Sequence, residues 1–457
     1  MNLLHYITQH FFRNPTRVAV TSFMLLVSTG SILLKLPWAT NPGHISWVDA
    51  IFTATSACSV TGLGVLDTGT YFTFAGQLII LLLVQVGGVG IMTFSTLFIL
   101  MSGRKPGIVG GQTIKDTYTQ TGERHPAEIL KDVLLFTLFI EALGAALLFV
   151  RFAQEYPLPK AVFLSIFHSI CAFCNAGFSL FSNSLIAYRG DWLVSLTIGG
   201  LIILGGLGFL VFSDIKRAIL SPNRFWKEVS LQSKVVVTAT IIILVASTVI
   251  LLWMERNYTL TGLPLNEKIL ASFFQSVTAR TAGFNTVDIG AMANESLLFM
   301  IVLMFIGAGP GSTAGGVKIT TASVLVLLGL AHLNGEERPH MFFRSISKAT
   351  LGKAVSTVLL SVIVLVGIVI LLQISEEGNP FLPSGHAKFL DLSFETVSAF
   401  GTVGLSTGIT GKLSASGKLI LSIMMIIGKL GMLTLALAIS HRRMKKFYYS
   451  EENIMIG

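Results

Sequence analysis

The chain has 457 residues, 52% of them hydrophobic and only 12% charged, with a mean hydropathy of +0.75. A soluble chain carries about a quarter charged residues, so these values exclude a water-soluble globular protein, a disordered chain and a coiled coil, and leave an all-α polytopic membrane protein. The formal charge of +9 then reads as basic cytoplasmic loops rather than a nucleic-acid surface, and the 44 glycines are more than helix interiors ask for.

Eight apolar runs are long enough to cross ~30 Å of hydrocarbon. In chain order they are Val18–Leu36, Phe74–Met101, Val133–Val150, Trp192–Phe212, Val235–Met254, Leu297–Leu333, Ala354–Ile374 and Leu419–Ser440. Four shorter runs fall between them: Ser46–Ser59, Lys160–Cys174, Lys268–Arg280 and Lys388–Phe400. At 13 to 15 residues these are too short to span and read as re-entrant helices. The order long, short, long recurs four times. It divides the chain into four repeats, over 1–110, 111–215, 216–335 and 336–440, followed by a tail over 441–457. Arg13 and Arg17 precede the first run and no small-residue cleavage site closes it, so it reads as a span and not a signal peptide.

Charge orients the spans. Twenty of the 32 Lys and Arg flank the long helices on the side of the termini. The positive-inside rule therefore puts both termini in the cytoplasm and the short helices on the outer side. The outer segments carry twelve acids against nine bases, among them Asp49, Asp67, Asp191, Asp288, Glu376, Glu377 and Asp391. An acidic mouth raises the local cation concentration.

Each short run ends in a related turn. The four read Val60-Thr61-Gly62-Leu63-Gly64, Asn175-Ala176-Gly177-Phe178-Ser179, Thr281-Ala282-Gly283-Phe284-Asn285 and Thr402-Val403-Gly404-Leu405-Ser406. The first glycines lie 115, 106 and 121 residues apart, one per repeat. A filter for a dehydrated cation needs backbone carbonyls in place of the hydration shell. Glycine lets the chain turn carbonyls inward and come close to the ion. A single glycine after a short helix is ordinarily a C-cap; four in register are not a coincidence.

The sixth span is interrupted by Gly307-Ala308-Gly309-Pro310-Gly311-Ser312-Thr313-Ala314-Gly315-Gly316-Val317-Lys318. Five glycines and a proline cannot remain a regular helix. The spacing does not fit a Walker A loop, and no strand precedes it. A flexible intramembrane loop facing an aqueous pathway fits. Lys429, between Gly428 and Leu430 deep in the last span, is a charge that membranes rarely tolerate without function.

These features together resemble the Ktr/Trk/HKT superfamily of potassium transporters. The segments SVTGLGV, CNAGFSL, TARTAGFNT and SAFGTVGLSTG are similar to its four filter segments, and GAGPGSTAGGVK is similar to its intramembrane loop. The resemblance covers essentially the whole chain and is nearest the bacterial Ktr membrane subunit. It implies a pseudo-fourfold cation pore of four tandem M1–pore helix–M2 repeats, with K⁺ selected at Val60, Thr61, Gly62, Asn175, Ala176, Gly177, Thr281, Ala282, Gly283, Thr402, Val403 and Gly404. It implies a gate at Gly307, Gly309, Gly311, Ser312, Thr313, Gly315, Gly316 and Lys318. Lys429 stands where the family more often has arginine, as an electrostatic barrier under the filter. That change keeps the charge but not the planar fork. Arg280, before the third turn, is expected to support the filter by pairing with Glu395 or Asp391. The role of Lys318 divides between loop carbonyls and lipid.

The cytoplasmic loops, about 20 to 30 residues each, are too small for a ligand-binding domain. Regulation then requires a separate subunit. The resemblance implies a cytosolic ring of RCK-type nucleotide-binding proteins responding to ATP and ADP, a homodimer, Na⁺ as an activator and residence in the bacterial plasma membrane. The basic loops also suit anionic lipid headgroups. The chain carries no nucleotide-hydrolysis motif and no covalent cofactor is expected. Two other classes stay open: a solute transporter with a midplane site at the broken sixth helix, and an intramembrane enzyme using His168, Cys171 and Cys174. Against the latter, the CxxC lacks a second pair and reads as small buried residues, His168 reads as packing, and Glu141 reads as a buried hydrogen-bonded acid.

Overall fold

The computed structural model describes residues 15–90, 126–219, 229–336, 338–382 and 385–431. Three of its helices are long and apolar enough to cross a membrane by length and composition: Lys131–Phe152, Leu231–Asn257 and Lys348–Ser375. They lie within α4 (Pro126–Phe152), α8 (Leu231–Met254, with the turn that follows) and α12 (Lys348–Ser375). These, with α1 (Pro15–Lys35), fall on the first, third, fifth and seventh of the long apolar runs. Apolar residues surround α12 on every side, the pattern of a helix solvated by hydrocarbon.

The short helices are α2 (Trp47–Ser59), α5 (Leu158–Cys174), α9 (Leu265–Thr278) and α13 (His386–Gly401). Proline at or beside the first position, or a side-chain cap such as Ser46 on the Asp49 amide (3.0 Å), starts α2, α5 and α9.

The second long helices differ from the sequence expectation. Their glycine content predicts one break, in the sixth span; among the described residues each of the four helices that follow a short helix ends before its predicted run does. α3 (Phe74–Val89) stops at Gly90 (φ 96°, ψ 141°). α6 (Trp192–Leu207) stops at Gly208 (φ 90°, ψ 149°) before α7 (Phe209–Ile219) resumes. α10 (Asn294–Phe305) and α11 (Ile319–Leu333) flank the long break. α14 (Ala415–Leu430) stops at Gly431 (φ 80°, ψ 139°). Those dihedrals are open essentially to glycine alone and end the i→i−4 ladder. The expected spans Phe74–Met101 and Leu419–Ser440 run beyond Gly90 and Gly431 into positions outside the described residues. A two-residue hairpin, His340–Met341 against Arg344–Ser345, lies between α11 and α12.

The helices that follow the short ones link neighbouring segments of the chain. α3 packs on α5, α6 on α9, α10 on α13, and α14 returns to pack on α2. The four short helices are thereby joined in a closed circuit. Buried carboxylates tie two of the first long helices to the second ones. Glu376 accepts from the Ser414 amide (3.1 Å) and hydroxyl (2.6 Å), and Glu255 accepts from the Ala293 amide (3.0 Å).

Candidate functional site

Three of the short helices end on a residue in left-handed conformation, Val60 (φ 57°, ψ 45°), Asn175 (φ 60°, ψ 50°) and Thr402 (φ 49°, ψ 46°); α9 ends at Thr278 with a right-handed Ala279, and the left-handed residue, Thr281 (φ 70°), follows after one more turn. For the β-branched Val60, Thr281 and Thr402 this region is an outlier, costing on the order of 1–3 kcal/mol. The helix ends hold it. The Thr61 amide donates to the Ser56 carbonyl, Ala176 to Cys171 and Val403 to Ser398, each at 2.8 Å. Two residues on, Gly62, Gly177, Gly283 and Gly404 return to positive φ, between 64° and 90°.

The four glycines meet. A Cβ on Gly62 would lie 2.7 Å from the Gly177 Cα, one on Gly177 would lie 2.9 Å from the Gly283 Cα, and one on Gly283 would lie 3.2 Å from the Gly404 Cα. On Gly404 it would lie 3.1 Å from the Gly62 carbonyl carbon, which closes the ring in chain order. Each added carbon would also meet the neighbouring turn's preceding carbonyl oxygen: Ala176, Ala282 (3.0 Å), Val403 (2.6 Å) and Thr61 in turn. Any side chain at these positions collides with backbone, so glycine is required by close approach as well as by φ.

The supports of the turns are not identical. Ser56 Oγ accepts from the Gly62 amide (3.0 Å), and Ser398 Oγ does the same for Gly404 (3.1 Å). Both stand six residues before their glycine, a spacing that comparison of the four segments reveals. Cys171 holds that place in the second repeat and Val277 in the third. The third turn is braced differently, by Thr278 Oγ1 donating to the Phe284 carbonyl (2.6 Å) and Gln275 Nε2 to Thr286 Oγ1 (3.4 Å). Cys174 Sγ, just before the second turn, approaches Glu141 Oε1 (3.8 Å), whose other oxygen accepts from Gln85 Nε2 (3.1 Å). His168 sits buried with Nδ1 at the Leu164 carbonyl (2.8 Å), Nε2 at Ser179 Oγ (3.1 Å) and its ring stacked on Phe181. This is the packing role its sequence context predicts.

Arg280 does not make the expected ion pair. It is 6% exposed, and its Nε and Nη2 find no acceptor in the protein. Glu395 is already taken by the outer arm of the fourth turn: Ser406 Oγ (2.5 Å), the Thr407 amide (3.2 Å) and Thr410 Oγ1 (2.7 Å). Among the described residues no ion pair joins Arg280 to Glu395 or Asp391.

Residues 306–318 cross beneath the ring. The Gly309 amide donates to the Gly206 carbonyl (2.8 Å) and Thr313 Oγ1 to that of Gly205 (3.3 Å), fixing one side to α6. The Gly316 amide donates to the Gly428 carbonyl of α14 (3.3 Å). The Gly315 amide donates to Thr402 Oγ1 (3.0 Å), the first residue of the fourth turn. Lys429 Nζ donates to the Thr313 carbonyl (2.5 Å), and Lys318 Nζ to that of Ala314 (2.6 Å). The loop thus presents consecutive carbonyls to two ammonium groups. Lys318 thus contacts one of the loop's own carbonyls. Among the described residues Lys429 Nζ makes this one hydrogen bond, and a lysine has no planar fork for a paired contact.

Beyond the end of α4, Tyr188 Oη donates to Glu155 Oε2 (2.6 Å) and Arg151 Nη2 to Glu155 Oε1 (2.6 Å), while Arg151 also pairs with Asp191 at the start of α6. The Tyr188 hydrogen bond, then Arg151, holds the Glu155 carboxyl below its ordinary range.

The chain matches the TrkH family, described as cation transport protein, over residues 5–448. It is 38% identical over 445 residues to the Ktr system potassium uptake protein B of Bacillus subtilis, covering 97% of each chain. It is 34% identical to the potassium/sodium uptake protein NtpJ of Enterococcus hirae, again over 97% of each. The crystal structure of the potassium transporter TrkH from Vibrio parahaemolyticus superposes with a TM-score of 0.71 over 94% of this chain and 85% of that one, at 20% identity, a likeness of fold. These relatives are transport proteins, not enzymes. The chain belongs to the TrkH family of cation transport proteins.

Proposed function

We propose that this protein carries K⁺ into the cell through a pseudo-fourfold pore whose filter is the ring of four glycine turns. One observation carries the reading: Gly62, Gly177, Gly283 and Gly404 approach one another in a closed ring, each beside a carbonyl oxygen of the next turn. Carbonyls crowded about an axis with no side chain between them replace the hydration shell of a monovalent cation. The four pore helices end at that ring, and the negative ends of their dipoles favour a cation there. The names of the relatives point to potassium as the ion.

Loop 306–318 is the gate of this pore, and Lys429 sets an electrostatic barrier beneath the filter. Its lysine tether to Thr313 couples the two. The repeats run over 1–110, 111–215, 216–335 and 336–440, with both termini and the tail 441–457 in the cytoplasm. The pore works as a homodimer in the bacterial plasma membrane, activated by Na⁺. A cytosolic RCK-type ring that senses ATP and ADP controls it, and the basic loops rest on anionic lipid. K⁺ uptake in a transport-deficient host, measured with and without Na⁺ and a regulatory subunit, tests this reading. Restored uptake is expected, and deletion of 309–315 should raise unregulated flux. No K⁺ uptake under any of these conditions would refute it.

A further inference from the structure

The chain leaving turns two and four is held by a matched set of contacts. Two residues after the glycine stands Ser179 in the second turn and Ser406 in the fourth. Each serine Oγ accepts the amide two residues further on, Phe181 (3.0 Å) and Gly408 (2.9 Å), and so closes a local turn of the departing chain. Each also meets the residue nine places before its glycine, on the short helix. Ser406 Oγ donates to Glu395 Oε1 (2.5 Å), and Ser179 Oγ lies 3.1 Å from His168 Nε2. The Leu164 carbonyl at His168 Nδ1 (2.8 Å) can only accept, so in the neutral ring Nδ1 carries the proton and Nε2 takes the Ser179 hydroxyl. A carboxylate in one repeat and an imidazole in another therefore present an acceptor to the same serine.

The other two repeats lack both members of the pair. The same places hold Thr53 and Gly64 in the first repeat, and Phe274 and Asn285 in the third. Gly64 has no hydroxyl to give and Phe274 has no acceptor, so neither turn can form the contact. His168 and Glu395 are both fully buried, and burying an imidazole and a carboxylate is costly unless their acceptors are filled. Glu395 is filled further by the Thr407 amide (3.2 Å) and Thr410 Oγ1 (2.7 Å), and the His168 ring stacks on Phe181 with centroids 4.7 Å apart. An apolar side chain would fill either place without that cost. The ring of glycines runs in chain order, so turns two and four lie across it from each other.

We propose that His168 and Glu395 are positioning residues for ion discrimination: through Ser179 and Ser406 they clamp the chain leaving two opposed turns, and so fix Gly177 and Gly404 across the ring. Neither side chain reaches the ion; each acts through its serine on the backbone two residues away. The effect on discrimination rests on the filter reading above; the clamps themselves do not.

The test is the K⁺ to Na⁺ flux ratio of the purified full-length protein in liposomes, with hydrogen exchange over 178–184 and 405–411 read on the same preparations. Ser179→Ala and Ser406→Ala remove a hydroxyl and little volume, which keeps the test open if a change at the buried Glu395 prevents folding. Each should lower the ratio by roughly fivefold and speed exchange over its own segment. His168→Leu should match Ser179→Ala, and His168→Gln, whose amide oxygen can stand in the place of Nε2, should restore most of what the leucine loses. Thr53→Val, at the same place in a repeat without the serine, should move neither reading. A ratio equal to wild type in both serine variants, or an equal loss in Thr53→Val, overturns the proposal. A wild-type ratio near one would sink the filter reading and with it the role in discrimination; faster exchange in the serine variants would then leave the clamps standing, and unchanged exchange would remove them too.

Discussion

The ring of glycine turns and the loop beneath it are both irregular backbone inside a helical membrane protein, yet they are held in opposite ways. Turns one, two and four are fixed by their own pore helices: the Thr61, Ala176 and Val403 amides bond back into the helix end, and in turns one and four a serine takes the glycine amide. Loop 306–318 is fixed by its neighbours, through α6, α14, Thr402 and the Lys429 ammonium. Backbone constrained by its own helix keeps one geometry. Backbone tethered by exchangeable side-chain and inter-helix bonds has a second arrangement within reach. The first property suits a filter and the second a gate.

The largest expected effect is on the ring. Gly283→Ala places a carbon about 2.6 Å from the Val403 oxygen, on a residue whose φ is +82°, and neither neighbour can yield without moving backbone. K⁺ uptake should fall by two orders of magnitude or more, since roughly 1.4 kcal/mol is tenfold and both strain and collision apply. Uptake assays on protein shown to be folded by its elution profile check this.

The loop should respond in the other direction. Lys429→Gln removes the charge and the Thr313 tether, so flux without the regulatory subunit should rise several-fold, while Lys429→Arg should stay near wild type. Liposome flux measures it. Equal flux in all three proteins would mean the tether does not restrain the loop.

Ser56→Ala and Ser398→Ala leave a glycine amide without its acceptor, costing roughly 1–3 kcal/mol each. Their effects should appear as lowered thermal stability and weaker discrimination of K⁺ from Na⁺. The equivalent change at Val277, to Ala, should leave discrimination alone, because no hydroxyl is lost there.

The smallest effect belongs to the Glu155 cluster beyond the end of α4. The folded Glu155 carboxyl titrates below its ordinary value, so its stabilisation is complete above the unfolded carboxyl's range and fades only as pH falls through the lower, folded one. Melting temperature between pH 7 and pH 5 should not change through this residue, and Glu155→Gln should alter it little, because the pair is partly exposed.

Much of this arrangement is legible in the residues. Four short apolar runs, each closing on a small residue, glycine and Leu or Phe, mark the turns, and the density of glycine around Pro310 marks the loop. The breaks at Gly90, Gly208 and Gly431 are not legible, because a lone glycine in an apolar run reads equally well as a small packing residue. The left-handed Val60, Thr281 and Thr402 could not be foreseen: β-branched residues argue against that conformation, and only the surrounding tertiary bonds impose it. The expected pairing of Arg280 with Glu395 or Asp391 was not legible, because the presence of an acid in another repeat says nothing about which donors already occupy it.

The central claim is that the four glycines select K⁺. Its most direct test is the K⁺ to Na⁺ flux ratio of purified protein in liposomes, compared between wild type and Gly62→Ser. The ring geometry predicts K⁺ selectivity in wild type and a ratio at least roughly tenfold lower in the variant, with total flux reduced because the added side chain meets the Ala176 carbonyl. A variant that matches wild type in ratio and rate would contradict the account.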